Sequence, residues 1–313
     1  MRSISQRELI NICRLYYIEG LTQQEISSAY GLSRFKISRL LKKARHDGLV
    51  TVQIKDPASD VTKTEIVLAK KYDLKQAIIV KTDEYHENTR TLKIGEAGAF
   101  YLSSIIHRSN ILGVAWGRSV SYVVQNVKPV EAKHLIVVQM TGGMGAIEGT
   151  DATALTMALG QKLDAKAYVI QAPAIVRNRA IRNSFLKENQ IHEAISLAKK
   201  ADSAIFGIGL PDEDGLLSRA GLLTPKNSEA LKKVGAVGAI CGRFFDIRGR
   251  QCAYDLDDHI IGLNLIELKK IKRKMAIAFG LKKVNAIFGA LQGQLLDVLI
   301  TDYKTASALI GIS

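Results

Sequence analysis

The chain has 313 residues, 47% of them hydrophobic and 24% charged, enough to bury a large core and to suggest about two domains. No apolar run reaches the roughly 18–20 residues of a membrane span, and the N-terminus lacks the apolar stretch of a secretory signal, so a cytoplasmic protein with no membrane partner is expected. The net charge of +14 fits a polyanionic partner, while three cysteines (Cys13, Cys241, Cys252) with no CxxC pair support neither a disulfide framework nor a metal site.

Between residues 5 and 19, Leu9, Ile12, Cys13, Tyr16 and Tyr17 form the stripe of an amphipathic helix, ended by Gly20. Thr22 followed by Glu25 is a capping box. It opens a short helix with Ile26 and Ala29 expected to face inward, broken at Gly31. Ser33 then caps a third helix over residues 34–46, with Ile37, Leu40, Leu41 and Ala44 on its apolar face. Its other face carries Arg34, Lys36, Arg39, Lys42, Lys43 and Arg45 with no acid between them. Asp47 and Gly48 stop it, and the alternation of residues 49–54 predicts a strand.

This order predicts an N-terminal all-α winged helix-turn-helix domain over residues 1–55. A charge run alone would favour a solvated basic face; the complete pattern in this order reverses that. The third helix has the dimensions to enter the major groove of double-stranded DNA, its first turn toward base edges. Arg34, Phe35, Lys36 and Arg39 are expected in the groove, starting from Ser33. Thr22, Gln23, Lys42 and Lys43 are candidates for phosphate contacts, which set position but not sequence.

Residues 56–313 form the expected second domain. Residues 55–60 read as a hinge or helix start, and residues 61–72 as a helix that joins the domains or pairs with a second chain. Strands are then predicted at 76–80, 111–115, 134–139, 167–170, 204–209, 274–279 and 294–301. Helices are expected at 89–107, from about 119 to 127, 151–163, 185–199 and up to 291, with Asp302 capping a last one. Alternating units of this kind predict an α/β domain with a mainly parallel sheet, whose ligands bind at the carboxyl ends of strands.

Three turns lie at such ends: 116–119 (Trp116, Gly117, Arg118, Ser119), 141–145 (Thr141, Gly142, Gly143, Met144, Gly145) and 207–210 (with Gly207, Gly209, Leu210). Glycines let backbone N–H groups approach an anion, and a helix start adds partial positive charge. Any one such turn is also explained by glycine permitting a tight bend. Ser119 opens a helix and suits a phosphate, and Lys283 is a candidate counter-charge. Neither G-x-x-x-x-G-K-[ST] nor G-x-G-x-x-G is present, so no nucleotide cofactor is expected. The six histidines form no spaced constellation, and Asp202, Asp212 and Asp214 near a strand end form no acidic signature, so no enzymatic activity is expected.

In the stretches LTQQEISSAYGLSRFKISRLLKKARHDGLVTVQI, LGVAWGRSV, TGGMG, FGIG, GAVGAICGRFFD, HIIGL and GLKKVNAIFGALQGQLLDVLITDYKTASALI, the chain resembles the SorC family of sugar-responsive bacterial regulators, related to DeoR-type repressors. The resemblance covers nearly the whole length. It implies a sugar-phosphate-binding domain similar in fold to sugar-phosphate isomerases and deaminases, a homo-oligomer (a dimer or tetramer), and an effector that changes operator affinity. It also implies that the three turns and Lys283 contact the ligand. Several relatives that bind linear sugar phosphates have aspartate where Ala239 stands here, which implies a different effector, a less hydroxylated one, or a pocket that has lost its sugar. Two alternatives stand beside this reading: a sugar-phosphate isomerase or deaminase carrying a basic appendage, and a DNA-binding protein whose large domain serves only to oligomerise.

Overall fold

A computed structural model describes residues 4–50, 59–82, 87–145, 151–211, 216–252 and 255–312. The chain divides into two compact units, Met1–Pro57 and Ala58–Ser313.

The first unit is three helices: α1 (Gln6–Tyr17), α2 (Gln23–Tyr30) and α3 (Arg34–His46). Each starts at a side-chain cap, from Ser5, Thr22 and Ser33, because these oxygens accept N–H groups that the first turn leaves unbonded. Gly31 ends α2 at φ 61°, the left-handed conformation that glycine adopts without a Cβ penalty. Ile12, Cys13, Ile26, Ile37, Leu41 and Ala44 are packed together at the centre. Ala29, expected inward, is exposed; on a helix of only two turns Ile26 enters this core and Tyr30 packs against it. Of the expected 49–54 strand, Leu49 and Val50 are not in a strand, and residues 51–54 lie outside the described residues.

The second unit opens with α4 (Ser59–Lys71), which packs on β1 (Gln76–Val80) and the C-terminal helix, burying Leu68. After α5 (Glu87–Ile105) come β2 (Ile111–Val114), α6 (Arg118–Asn126), β3 (Ile136–Gln139), α7 (Ala152–Lys162), β4 (Lys166–Tyr168), α8 (Arg179–Lys187), α9 (Asn189–Lys199) and β5 (Ser203–Gly207). Then follow α10 (Leu216–Arg219), α11 (Pro225–Lys233), β6 (Ala236–Ile240), β7 (Arg243–Asp246), α12 (Leu265–Lys269), β8 (Arg273–Ile277), α13 (Val284–Gln292), β9 (Val298–Asp302) and α14 (Tyr303–Gly311).

Among the described residues, β1-β9-β8-β5-β2-β3-β4 form one parallel sheet in that order. Side chains alternate between its faces, as a strand's period of two requires. Ala204 and Phe206 of β5 point to a core with α4, α9, α12, α13 and α14, while Ile205 points to one with α5, α6 and α7. β6 and β7 form a separate antiparallel hairpin, turning at Cys241 (φ 52°) and Gly242 (φ 77°).

The single helix expected at 185–199 is two, α8 and α9, with Glu188 extended between them. Phe185 and Ile191 enter the same apolar cluster, yet six residues apart they would diverge by about 120° around a continuous helix. The break at Glu188 brings both faces inward. The final strand starts at Val298 rather than residue 294, because Gln294 (φ 53°) and Leu295, bonded back to Ala290, still finish α13.

Candidate effector pocket and nucleic-acid interface

In the first unit the capping boxes decide which groups face outward. The Thr22 N–H and hydroxyl donate to Glu25 Oε2 (2.7 and 2.8 Å), and the Glu25 N–H returns to Thr22 Oγ1 (3.3 Å). The Thr22 hydroxyl hydrogen is therefore spent inside the box. The backbone bond from Thr22, then its hydroxyl bond, hold the Glu25 carboxyl below its ordinary range. Ser33 Oγ accepts the Lys36 N–H at 3.3 Å and starts α3. Beyond it Arg34, Arg39, Lys42 and Lys43 are exposed, while Lys36 and Gln23 are half-buried. Phe35 is 83% exposed, an aromatic that contributes nothing to the three-helix core.

In the second unit the sheet order reverses direction at β2 and β5. The chain runs β2-β3-β4 one way and β5-β8-β9 the other, so the turns after β2 and β5 flank the crevice at a topological switch point. Gly117 starts α6 at φ 138° and ψ 148°, a conformation essentially reserved for glycine, and no side chain caps the helix there. Gly280 opens the Leu281–Lys283 turn in the same uncapped way. Five other helices of this unit have side-chain caps, from Asp151, Asn178, Thr224, Asn264 and Asp302 on α7, α8, α11, α12 and α14, while α9 and α13 have none. At the crevice no side chain caps the start of α6, while the Gly280 N–H is held by Asp302 Oδ2 and Thr305 Oγ1, both at 2.8 Å.

Cations gather at the same place. Ser119 Oγ reaches across the end of β5 to donate to the Ile277 carbonyl of β8 (2.9 Å), passing so close to Gly207 that a Cβ there would lie 3.0 Å from it. Lys283 Nζ donates to the Ile208 carbonyl at 2.8 Å. Burial, reinforced by the nearby Arg118 guanidinium, pushes its ammonium pKa down to about 8. The group is a cation held where its charge is poorly solvated.

The other end of the crevice is apolar. Trp116, Met144 and Ala239, from three separate segments, meet in one buried cluster with Phe244, Cys252, Leu217 and Leu223. Gly209 and Ala239 exchange both backbone hydrogen bonds (2.9 and 3.0 Å), which joins the β6–β7 hairpin to the end of β5. The 141–145 turn is built differently from the expectation of free N–H groups. Gly142 donates to Ile261 O, Gly143 to Ala172 O and Met144 to Asp151 Oδ1, all at 2.9 Å. Its N–H groups serve packing. Thr141 is fully buried and its Oγ1 has no partner, Gly145 is exposed, and Leu210 packs into the main core.

Three residues that shape this site were not among the expected ones. Gln139 is fully buried; its Nε2 donates to Thr141 O (2.6 Å) and its Oε1 accepts from Ile170 N (3.0 Å). Asp151 holds the 144 turn while capping α7. Arg243, only 2% exposed, pairs with Asp257 Oδ1 at 2.9 Å and donates to the carbonyls of Leu263 and Ile260, both at 3.2 Å. A glutamine ending an apolar strand run and an arginine inside Ala239-Ile240-Cys241-Gly242-Arg243-Phe244-Phe245 were the available signals. Asp202 stands before the first residue of β5, at the edge opposite the crevice, and Asp212 and Asp214 lie outside the described residues. No group of three or more His, Cys, Asp or Glu suited to a metal ion occurs among the described residues, and none of their helices is long and apolar enough to cross a membrane.

A helix-turn-helix unit joined to a parallel α/β sheet, with a basic crevice at the sheet's switch point, defines a ligand-responsive DNA-binding transcriptional regulator. The chain belongs to the SorC family of such sugar-responsive regulators. Residues 56–311 match the Sugar-bind family, a sugar-binding domain, and residues 3–47 match region 4 of sigma-70. The deoxyribonucleoside regulator of Bacillus subtilis is 33% identical over 308 residues, covering 97% of each chain. The sorbitol operon regulator of Klebsiella pneumoniae is 30% identical over 308 residues, covering 97% of this chain and 98% of that one. The crystal structure of full-length SorC from K. pneumoniae aligns with a TM-score of 0.77 at 28% identity, over 99% of this chain and 100% of that one. A DeoR family regulator from Listeria monocytogenes aligns with a TM-score of 0.76 at 27% identity, over 80% of this chain and all of that one.

Proposed function

We propose that this regulator responds to a small phosphorylated sugar poor in hydroxyls, its phosphate at the start of α6 and its carbon chain against Trp116, Met144 and Ala239. The observation that carries the reading is the start of α6 at Gly117, which no side chain caps, beside Lys283 and Arg118. A helix start with no side-chain cap, its dipole and a desolvated ammonium together favour a dianion. At the other end Ala239 offers no carboxylate to accept sugar hydroxyls, and a buried hydroxyl with no partner is costly. A 2-deoxy sugar phosphate meets both conditions. One relative is named for deoxyribonucleosides, which agrees with this class. The large unit acts by binding and releasing the effector unchanged, and the protein works as a homo-oligomer on an operator with repeated half-sites. Groove contacts come from Arg34, Phe35, Lys36 and Arg39, with Phe35 suited to a thymine methyl.

The test is thermal unfolding with 2-deoxyribose 5-phosphate, ribose 5-phosphate and inorganic phosphate. Binding to the folded state alone raises stability by about 2.7 kcal/mol at 100 times the Kd. The expected order of shift is deoxy sugar phosphate, then sugar phosphate, then phosphate, with no product formed on incubation. A flat response to all three would overturn the proposal, and turnover of either sugar would favour the enzyme reading.

A further inference from the structure

The recognition helix does not account for the chain's charge. Residues 1–57 hold ten of the forty-four Lys and Arg against five of the thirty Asp and Glu, so nine of the fourteen net positive charges lie in the large unit. Part of that excess is concentrated in Lys269-Lys270-Ile271-Lys272-Arg273-Lys274, five cations in six residues.

The fold spreads these cations along one edge. All strands of the sheet are parallel, so their first residues share the edge opposite the crevice. Ile271 is buried, and Lys274 is buried in a pair with Asp297 (2.7 Å). Lys269, Lys270 and Lys272 are left pointing to solvent, with Arg273 half-buried. Lys75, just before β1, donates to the Lys272 carbonyl, and Lys199 and Lys200 end α9 beside α12 through a Lys199–Glu267 pair at 3.0 Å. Seven cations (Lys75, Lys199, Lys200, Lys269, Lys270, Lys272, Arg273) thus share the edge with three carboxylates (Asp73, Asp202, Glu267) not already taken by Lys274. Glu267 is engaged with Lys199 and the cap of α12, and Asp202 with the Asn110 N–H.

Helix C-termini attract cations, which explains Lys199 and Lys269. It does not explain Lys270, Lys272 and Arg273, which follow α12. Among the described residues the ammonium groups of Lys200, Lys269, Lys270 and Lys272 meet no carboxylate. Adjacent like charges repel, and a polyanion relieves that repulsion by releasing counterions.

We infer that the strand-start edge of the large unit, centred on Lys269, Lys270 and Lys272, is a second DNA-backbone contact surface that binds duplex beyond the stretch occupied by the helix-turn-helix. The contact is to phosphates and independent of sequence. Because it lies on the edge opposite the crevice, effector and DNA can occupy the large unit together.

The test compares the full-length protein with its Lys269→Gln/Lys270→Gln/Lys272→Gln variant on random-sequence duplexes of ~16 and ~60 base pairs, about one and a half and six helical turns. Neutralising each phosphate contributes roughly −0.9 to the slope of log affinity against log salt. On the long duplex the variant's slope should be shallower by about 2 to 3, with affinity down on the order of tenfold near 0.1 M salt. On the short duplex, and in melting temperature, it should match the parent. Equal binding of the long duplex by variant and parent overturns the proposal, as does an equal loss on both lengths. A Lys199→Gln/Lys200→Gln variant, altered on a different element, should show a smaller loss of the same kind.

Discussion

At the scale of single residues, Lys283 is the group whose chemistry is most altered by its setting. Its pKa is lowered from 10.5 to about 8, first by burial and then by Arg118. A phosphate dianion prefers the charged ammonium. Affinity for a phosphorylated ligand should therefore be full below about pH 8 and fall as pH rises through it, measured by calorimetry between pH 7 and 9.5. Lys283→Ala should bind weakly and lose that dependence; a mutant with an unchanged pH profile would remove Lys283 from the site. Stability runs the other way. The unfolded chain holds this proton up to about 10.5 and the folded chain only to about 8, so this group's contribution rises between those pH values. Arg243 is a contrasting case. Its buried charge meets a carboxylate and several carbonyls, and its work is to hold residues 257–263 against the 141–145 turn.

At the scale of elements, the start of α6 combines an unusual backbone with an unmet electrostatic need. At φ 138° a Cβ is strained wherever it points, although the nearest heavy atom to a Cβ on Gly117 would be 3.9 Å away. Gly117→Ala should thus cost about 1–3 kcal/mol through backbone conformation. It should also weaken phosphate binding more than it lowers stability, since the turn must shift to relieve the strain. Urea unfolding and ligand titration of the same sample separate the two effects. A mutant that binds normally would place the anion elsewhere.

At the scale of the whole molecule, regulation requires that the effector bind the DNA-competent and DNA-incompetent states with different affinity, because equal affinity shifts nothing. By linkage, DNA must then change effector affinity by the same factor. Arg34→Ala/Arg39→Ala should abolish preference for the protein's own promoter over random duplex, while the thermal shift with 2-deoxyribose 5-phosphate persists. Footprinting and thermal unfolding on one preparation check this. An unchanged footprint would move recognition off α3, and loss of the ligand shift would indicate a general folding defect.

The local elements were legible because their causes are local. The capping box of Thr22 and Glu25, the glycine stop at Gly31, the cationic face after Ser33 and the Asp302 cap each act within four residues. Strand-turn-helix alternation likewise announced a parallel sheet with glycine turns at its carboxyl edge. The break at Glu188 was not legible, because it depends on where two apolar faces meet a third element. Nor was it evident that the N–H groups of Gly142, Gly143 and Met144 are spent on Ile261, Ala172 and Asp151, partners up to 119 residues away along the chain. Sequence by itself determined which segments could be helix, strand or anion-seeking turn, since those follow from nearest neighbours and side-chain period. Only tertiary structure decided which turns spend their hydrogen-bond donors on packing and which cations share an edge, because burial and pairing are set by strand order.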